Sequence, residues 1–167
     1  MTVGSPCASN LSRRRLLTLR RLWALLIMFA LIMLPANVSA IDFPVTSPFG
    51  WRIHPISGEW KFHAGVDLGY AYGTYIAAVF DGQVVTAGDF GDGYGNQVLL
   101  YHPAIDAYTR YAHCSAIHVA AGQTVVGGQV IAQVGSTGYS TGPHLHLEYI
   151  IRVGNVYQYA DPLTLWQ

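Results

Sequence analysis

The order of hydrophobic and polar residues divides the chain into one long apolar run near its start and many short runs after residue 40. The later runs are rich in β-branched and aromatic side chains and are bounded by glycine, proline or aspartate, which is typical of strands. No segment after residue 40 keeps a helical period beyond one or two turns. We therefore expect strands at residues 74–80, 83–87, 96–101, 107–112, 129–134, 144–153 and 156–159.

The connections between these runs indicate a single all-β domain. Asp81-Gly82 predicts a tight turn between the first two strands, and Gly154-Asn155 predicts one between the last two. Short strands at short spacings are typical of a compact antiparallel β-sandwich or barrel-like domain. The chain has 167 residues, enough for one domain of ordinary size, which we place at residues 41–167.

The first 40 residues are predicted to form an export signal. A basic segment ends at Arg21, an uncharged apolar stretch covers residues 22–34, and Val38-Ser39-Ala40 follows as a small-residue cleavage site. Because the stretch is shorter than the roughly 20 residues that span a bilayer, we expect cleavage near Ala40, not retention as a membrane anchor. Residues 12–17 (SRRRLL) also fit a twin-arginine signal, so both that route and the general secretory route stay open.

Export predicts a periplasmic, extracellular or wall-associated location, with membrane contact only through the leader if it is uncleaved. Charge supports this division, because residues 1–40 carry five arginines and no acid, whereas the remainder carries four basic and nine acidic side chains. A nucleic-acid binder keeps its positive charge in the folded domain, so we expect no nucleic-acid partner. The sequence leaves the oligomeric state open, and a monomer is the simplest expectation.

The histidines form two candidate metal-binding clusters. In a strand, His144 and His146 share a face because residues two apart point the same way. His63 and Asp67, four apart, also share a side of an extended strand, and Gly65 between them allows close approach of another backbone. Two imidazoles and a carboxylate are a normal ligand set for catalytic zinc. On spacing alone, hydrogen-bonded or half-exposed histidines without a metal remain the alternative.

Other polar residues give weaker signals. Glu148 shares the face of the two clustered histidines, where it could either contact an imidazole or serve a structural role. We expect His54, His102 and His118 to be turn, packing or surface residues. Residues 91–95 (GDGYG) lack a P-loop lysine and a following helix, so they predict a flexible loop at the edge of a groove.

Three separated motifs resemble those of the lysostaphin-type (LytM-type) zinc endopeptidases. Residues 63–67 (HAGVD) are similar to the family's H-x-G-x-D, residues 111–115 (YAHCS) to its Y-x-H-L-S, and residues 135–148 (GSTGYSTGPHLHLE) to its C-terminal signature. The resemblance covers about residues 44–165. Cys114 departs from the family's leucine, and we interpret it as a small buried hydrophobe, with a regulatory thiol as the alternative.

The resemblance implies both an activity and residue roles. His63, Asp67 and His146 would hold one Zn²⁺ per chain in a groove. His144 would act as general base, and His113 would donate to an oxyanion or orient the water. The implied activity is a zinc metalloendopeptidase that hydrolyses peptide bonds in the stems or cross-links of peptidoglycan.

Two other functions stay open at this stage. The chain could be a catalytically inactive family member that binds cell wall and activates a separate amidase. It could also be a non-hydrolytic β-domain that binds metal or carbohydrate. The sequence does not distinguish a glycine–glycine, an alanine–glycine or a diaminopimelate-stem bond as the one that is cleaved.

Overall fold

The computed structural model describes residues 43–54 and 57–166, so the predicted leader lies outside the described residues and stays a prediction. Within these ranges no helix has the length and apolarity needed to cross a membrane. The described elements are β1 (Val45–Ser47), β2 (Gly50–Ile53), β3 (Trp60–His63), β4 (Gly65–Leu68), β5 (Tyr75–Ala77), β6 (Gly82–Gly88), β7 (Gln97–His102), β8 (Ala107–Ala112), β9 (Ala116–Ile117), β10 (Thr124–Val125), β11 (Val130–Gln133), β12 (Leu145–Val153), β13 (Val156–Ala160) and a 3₁₀ helix, Pro162–Trp166.

The all-β antiparallel fold is confirmed. The largest sheet has the strand order β1-β4-β12-β8-β7-β6-β10, and β13 pairs with the far half of β12. A second sheet has the order β5-β11-β9, and β2 and β3 form a separate hairpin. The central strand β12 places His146 between Asp67 on β4 and Ala112 on β8. This register positions the candidate site at the middle of the large sheet.

Side chains along the central strands point alternately to the core and to the site. On β4, Val66 and Leu68 are buried in the core, while Asp67 between them points to the other face. On β12, Leu145 and Leu147 join the same core, which also includes side chains of β5 and β11. Burial of each such aliphatic side chain stabilises the folded state by about 1.5–3 kcal/mol. The packed core therefore holds rigid the two strands that carry the site.

The predicted turn at Asp81-Gly82 is wrong, whereas the one at Gly154-Asn155 is confirmed by the β12–β13 hairpin. Strand β5 pairs with β11, and β6 pairs with β7 and β10, so the two runs do not form a hairpin. Gly82 is the first residue of β6, where a Cβ would come within 2.6 Å of the Tyr101 carbonyl oxygen. Glycine is thus required at this position for close strand approach.

The single extended strand expected over His63 and Asp67 is interrupted at Ala64. His63 ends β3 in the small hairpin, and Asp67 lies in β4 of the large sheet. The predicted role of Gly65 is confirmed, because a Cβ there would overlap the Leu147 carbonyl oxygen. The two side chains therefore meet where the chain crosses from the hairpin into the large sheet.

Candidate metal centre and groove

Three donor atoms from the two sequence clusters converge on one point. His63 Nε2 lies 3.2 Å from Asp67 Oδ1 and 3.1 Å from His146 Nδ1. His146 Nδ1 lies 2.8 Å from the same Asp67 oxygen. Ligands at about 2.0–2.1 Å from a tetrahedral zinc stand roughly 3.3 Å apart. The spacing of the three atoms therefore fits a small divalent cation, and these residues form a group that could hold one.

Hydrogen bonds fix which ring nitrogens of the two imidazoles face the centre. His63 Nδ1 lies 2.8 Å from the Pro48 carbonyl oxygen, which can only accept, so the proton is on Nδ1 and the lone pair on Nε2. His146 Nε2 lies 3.4 Å from Glu148 Oε1, which leaves the lone pair of His146 on Nδ1. Two lone pairs and a carboxylate then face one another, and this repulsion is relieved by a cation.

The charged and hydrogen-bonding groups at the centre lower the pKa of Asp67 and raise the pKa of His146. Burial alone would raise the pKa of Asp67, but hydrogen bonds with His146 and His63 hold it well below its usual range. Burial alone would lower the pKa of His146, but the carboxylates of Asp67 and Glu148 raise it. A proton on His146 Nδ1 can bridge to Asp67 when no metal is bound. Protons and a metal ion therefore compete for the same position.

Glu148 contacts His146 at Nε2, the ring nitrogen that is directed away from Asp67 and His63. Its side chain is 0% exposed, and the pairing of β12 with β8 sets it opposite Arg110, whose Nη1 lies 3.3 Å from Oε2. Tyr94 donates its hydroxyl to Oε1 at 2.5 Å, and the Arg110 guanidinium lies 4.3 Å from the Tyr94 ring centroid. Carboxylates that contact the remote nitrogen of a ligating imidazole fix its orientation and basicity. Of the two predicted roles for Glu148, the geometry favours contact with the imidazole.

His113 and His144 lie beside the three-atom centre. His113 follows the end of β8 with a φ of 59°, a left-handed conformation that is uncommon for a residue with a Cβ. Its Nδ1 donates to the Thr137 carbonyl at 2.8 Å, and His144 Nδ1 donates to the Gly142 carbonyl at 2.8 Å. The two ring centroids are 4.8 Å apart, and His144 Nε2 lies 3.7 Å from Asp67 Oδ1. Each ring thus keeps its Nε2 available at the groove.

Burial determines the charge of His113. It lowers the pKa of this side chain to about 4, so the ring is neutral at neutral pH. With its proton on Nδ1 and bonded to Thr137, the neutral ring presents a lone pair at Nε2. Of the two roles implied by the resemblance, orienting a water molecule suits this neutral ring, because donation to an oxyanion requires a second proton.

The remaining sequence candidates are placed as follows. His102 is buried between the Asp81 carbonyl and the Thr109 hydroxyl, at 2.9 and 2.8 Å, which confirms a packing role. His118 is exposed just after β9, does not line the cavity of the metal centre, and has its ring 6.3 Å from that of Tyr75. Cys114 is buried in the core, and burial raises its pKa to about 12, which confirms the hydrophobe interpretation.

The groove has features that the sequence indicated and others that it did not. His54 accepts a hydrogen bond from the Ser57 backbone at 3.2 Å, as a turn residue does, and also lines the metal-centre cavity of about 140 Å³. Residues 91–95 contribute glycines beside Tyr139, which fits the predicted groove edge. The sequence did not indicate Tyr94, Arg110 and Arg52 as site residues, since their contacts depend on the packing of segments that are distant in the chain.

Comparison with known proteins places this chain in a family. The model of peptidase family M23 matches residues 61–159. The DD-carboxypeptidase/endopeptidase Mpg of Neisseria meningitidis serogroup B is 50% identical over 104 residues, which are 62% of this chain and 24% of that protein. The chain spans about a quarter of the length of the curated relatives it matches, 24–26% in Mpg and in the peptidoglycan DD-endopeptidase ShyC of Vibrio cholerae.

Solved structures agree with this relationship. The catalytic domain of the antimicrobial peptidase lysostaphin from Staphylococcus simulans is 34% identical with a TM-score of 0.66, and the match covers 74% of this chain and 92% of that one. A zinc-containing peptidase from Vibrio cholerae is 38% identical with a TM-score of 0.57, covering 63% of this chain and 32% of that one. The chain belongs to peptidase family M23 and has the fold of the lysostaphin-type peptidases.

Proposed function

We propose that this protein is a zinc-dependent endopeptidase that hydrolyses peptide bonds in the stems or cross-links of peptidoglycan. The observation that carries the proposal is the convergence of His63 Nε2, Asp67 Oδ1 and His146 Nδ1 within 2.8–3.2 Å beside two further histidines. The names of its relatives support the substrate, since ShyC is a peptidoglycan DD-endopeptidase and Mpg a DD-carboxypeptidase/endopeptidase. A related peptidase from Vibrio cholerae contains zinc, which supports the choice of metal.

Each residue of the site has a separate task in this proposal. His63, Asp67 and His146 would hold the ion, which when bound polarises a carbonyl group and lowers the pKa of water to about 7. His144 Nε2 carries a lone pair at the groove and would accept the proton of the attacking water. His113 Nε2 would orient that water through a hydrogen bond. The carbonyls that bind the Nδ1 atoms keep both rings in the required tautomer.

The inactive alternative is not favoured. A family member that only binds wall and activates another enzyme would be expected to have lost ligands or catalytic histidines. This chain keeps all five residues, and the structure brings them together around one groove. Hydrolysis by the protein itself is therefore the simpler function.

Activity is expected to fall as the pH is lowered. His146 must be unprotonated at Nδ1 to bind a metal, and neighbouring carboxylates raise its pKa, so protons compete with the metal at a higher pH than they would at an isolated imidazole. Peptide release from purified peptidoglycan, measured from pH 4 to 9 at fixed free zinc, should decline on the acid side. Raising free zinc should move the decline to lower pH, and a chelator should abolish release until zinc is added back. A rate that stays constant down to pH 4 is incompatible with imidazole ligands and an imidazole base.

The exported location is a further part of the proposal. Mature protein from the producing cell is expected to begin near Ile41 and to lie outside the cytoplasmic membrane, because the basic and apolar leader precedes a small-residue site at Val38-Ser39-Ala40. N-terminal sequencing of the fractionated protein measures this directly. Recovery of a membrane-bound form that still begins before Arg13 would show an uncleaved anchor instead.

A further inference from the structure

A second cavity adjoins the metal centre. It has a volume of about 420 Å³, within the range of about 300–1,000 Å³ that is usual for small-molecule sites. Arg52, Asp67 and His144 line both this cavity and that of the metal centre, so the two form one continuous groove. Thr46 and Thr141 add hydroxyl groups to the wall. A substrate residue next to the scissile bond would lie in this part of the groove.

Arg52 is directed inward by the geometry of its hairpin. Its neighbour on β2, Trp51, is 62% exposed on the opposite face, whereas the Arg52 side chain is only 18% exposed and lines both cavities. Its Nη2 lies 3.7 Å from Asp67 Oδ2, which is too long for a hydrogen bond. Its Nε has no hydrogen-bond partner among the described residues. A largely buried guanidinium with so few partners has unused capacity to bind an anion.

The charges along the groove also favour binding of an anion. Among the described residues that line the two cavities, Arg52 is the only lysine or arginine and Asp67 the only acid. The negative charge of Asp67 is directed at the metal position through Oδ1, so the cavity beside it keeps the positive charge of Arg52. Guanidinium groups bind carboxylates with two parallel hydrogen bonds, which gives both affinity and orientation.

We propose that Arg52 binds a carboxylate on the substrate residue next to the scissile bond, an inference that rests on the proposed peptidase function. The enzyme then prefers a stem that carries a free carboxylate, such as that of diaminopimelate, over a neutral glycine bridge. Arg52 acts on substrate binding and is not one of the three residues that would hold the metal.

The test pairs Arg52→Gln with a matched control, Lys61→Gln. Lys61 is the cross-strand partner of Arg52 on the same hairpin, but it is exposed and does not line the groove. Two peptides are compared, one with a free diaminopimelate carboxylate next to the cleaved bond and one with that group as a primary amide. For the acid, Arg52→Gln should raise KM roughly tenfold to a hundredfold, as expected for loss of a hydrogen-bonded charge. The kcat, the zinc content and all values for the amide should stay unchanged, and Lys61→Gln should match the parent protein.

Three results would overturn the inference. If Arg52→Gln raises KM equally for the acid and the amide peptide, the substitution has a general effect on the groove. If Arg52→Gln loses zinc, Arg52 acts by positioning Asp67. A parent protein that prefers a glycine peptide would exclude a carboxylate subsite. Binding of both peptides is also measured by calorimetry on zinc-loaded His113→Ala, which should not cleave them, with and without Arg52→Gln. This experiment distinguishes failure of the proposed carboxylate subsite from failure of the proposed peptidase function. Absence of hydrolysis by the parent defeats the peptidase, while an Arg52-dependent binding preference for the acid still supports the subsite.

Discussion

His146→Ala is expected to lose its metal and all measurable hydrolysis. The substitution removes one of three donor atoms and leaves Asp67 and His63 without their partner at 2.8 and 3.1 Å. Loss of a residue that only supports a ligand costs about 10–100-fold in metal affinity, so loss of a ligand should cost more than 100-fold. Zinc per chain, measured after dialysis against a zinc buffer, should fall from about one to near zero.

His118→Ala is the matched control, because His118 is an exposed histidine of the same domain that lies away from the metal centre. It should retain zinc and activity. Circular dichroism of His146→Ala should show that the β-sheet core, to which His146 does not belong, is still folded. Stoichiometric zinc in each of the His63→Ala, Asp67→Ala and His146→Ala proteins would refute the ligand assignment.

His144→Ala and His113→Ala are expected to keep zinc and lose most hydrolysis. Neither ring supplies an atom to the three-donor centre, so the metal should remain. A positioned base contributes about 10²–10⁴-fold to the rate, and we expect a loss in kcat of this size for His144→Ala. Loss of water orientation in His113→Ala should also lower kcat, and KM should change little in both variants. Metal analysis and steady-state kinetics on one preparation measure both quantities.

An exchange of roles would give a different result for these two variants. If either protein loses zinc as completely as His146→Ala, the histidine concerned is a ligand and the assignment made from the resemblance is incorrect. A variant that keeps both zinc and full activity would exclude that histidine from the reaction.

The pattern of the sequence predicted those features that depend on neighbouring residues. The run at 107–112 coincides with β8, and the period of two correctly places His146 and Glu148 on one face of β12, opposite the core residues Leu145 and Leu147. The convergence of the histidines and Asp67 was also expected from the motifs. Alternation and motif spacing suffice for these features because a strand sets the direction of each side chain locally.

The features that the sequence did not predict depend on contacts between distant segments. The partner of β5 is β11 and not β6, which no local turn signal reveals. The ion pair of Arg110 with Glu148 follows from the register of β8 against β12. The left-handed conformation of His113 is held by backbone contacts with the 91–95 loop and with Thr137. Tertiary packing selects each of these arrangements among several that the local sequence allows.

The central claim is tested most directly by incubating the purified residue 41–167 protein with purified peptidoglycan and identifying the released fragments by mass spectrometry. We predict fragments that end at newly cleaved peptide bonds, with the sugar–sugar and sugar–peptide bonds intact, and we predict that a chelator stops their release until zinc is restored. Release that continues in the presence of a chelator, cleavage only at sugar bonds, or no cleavage by zinc-loaded protein would contradict the account.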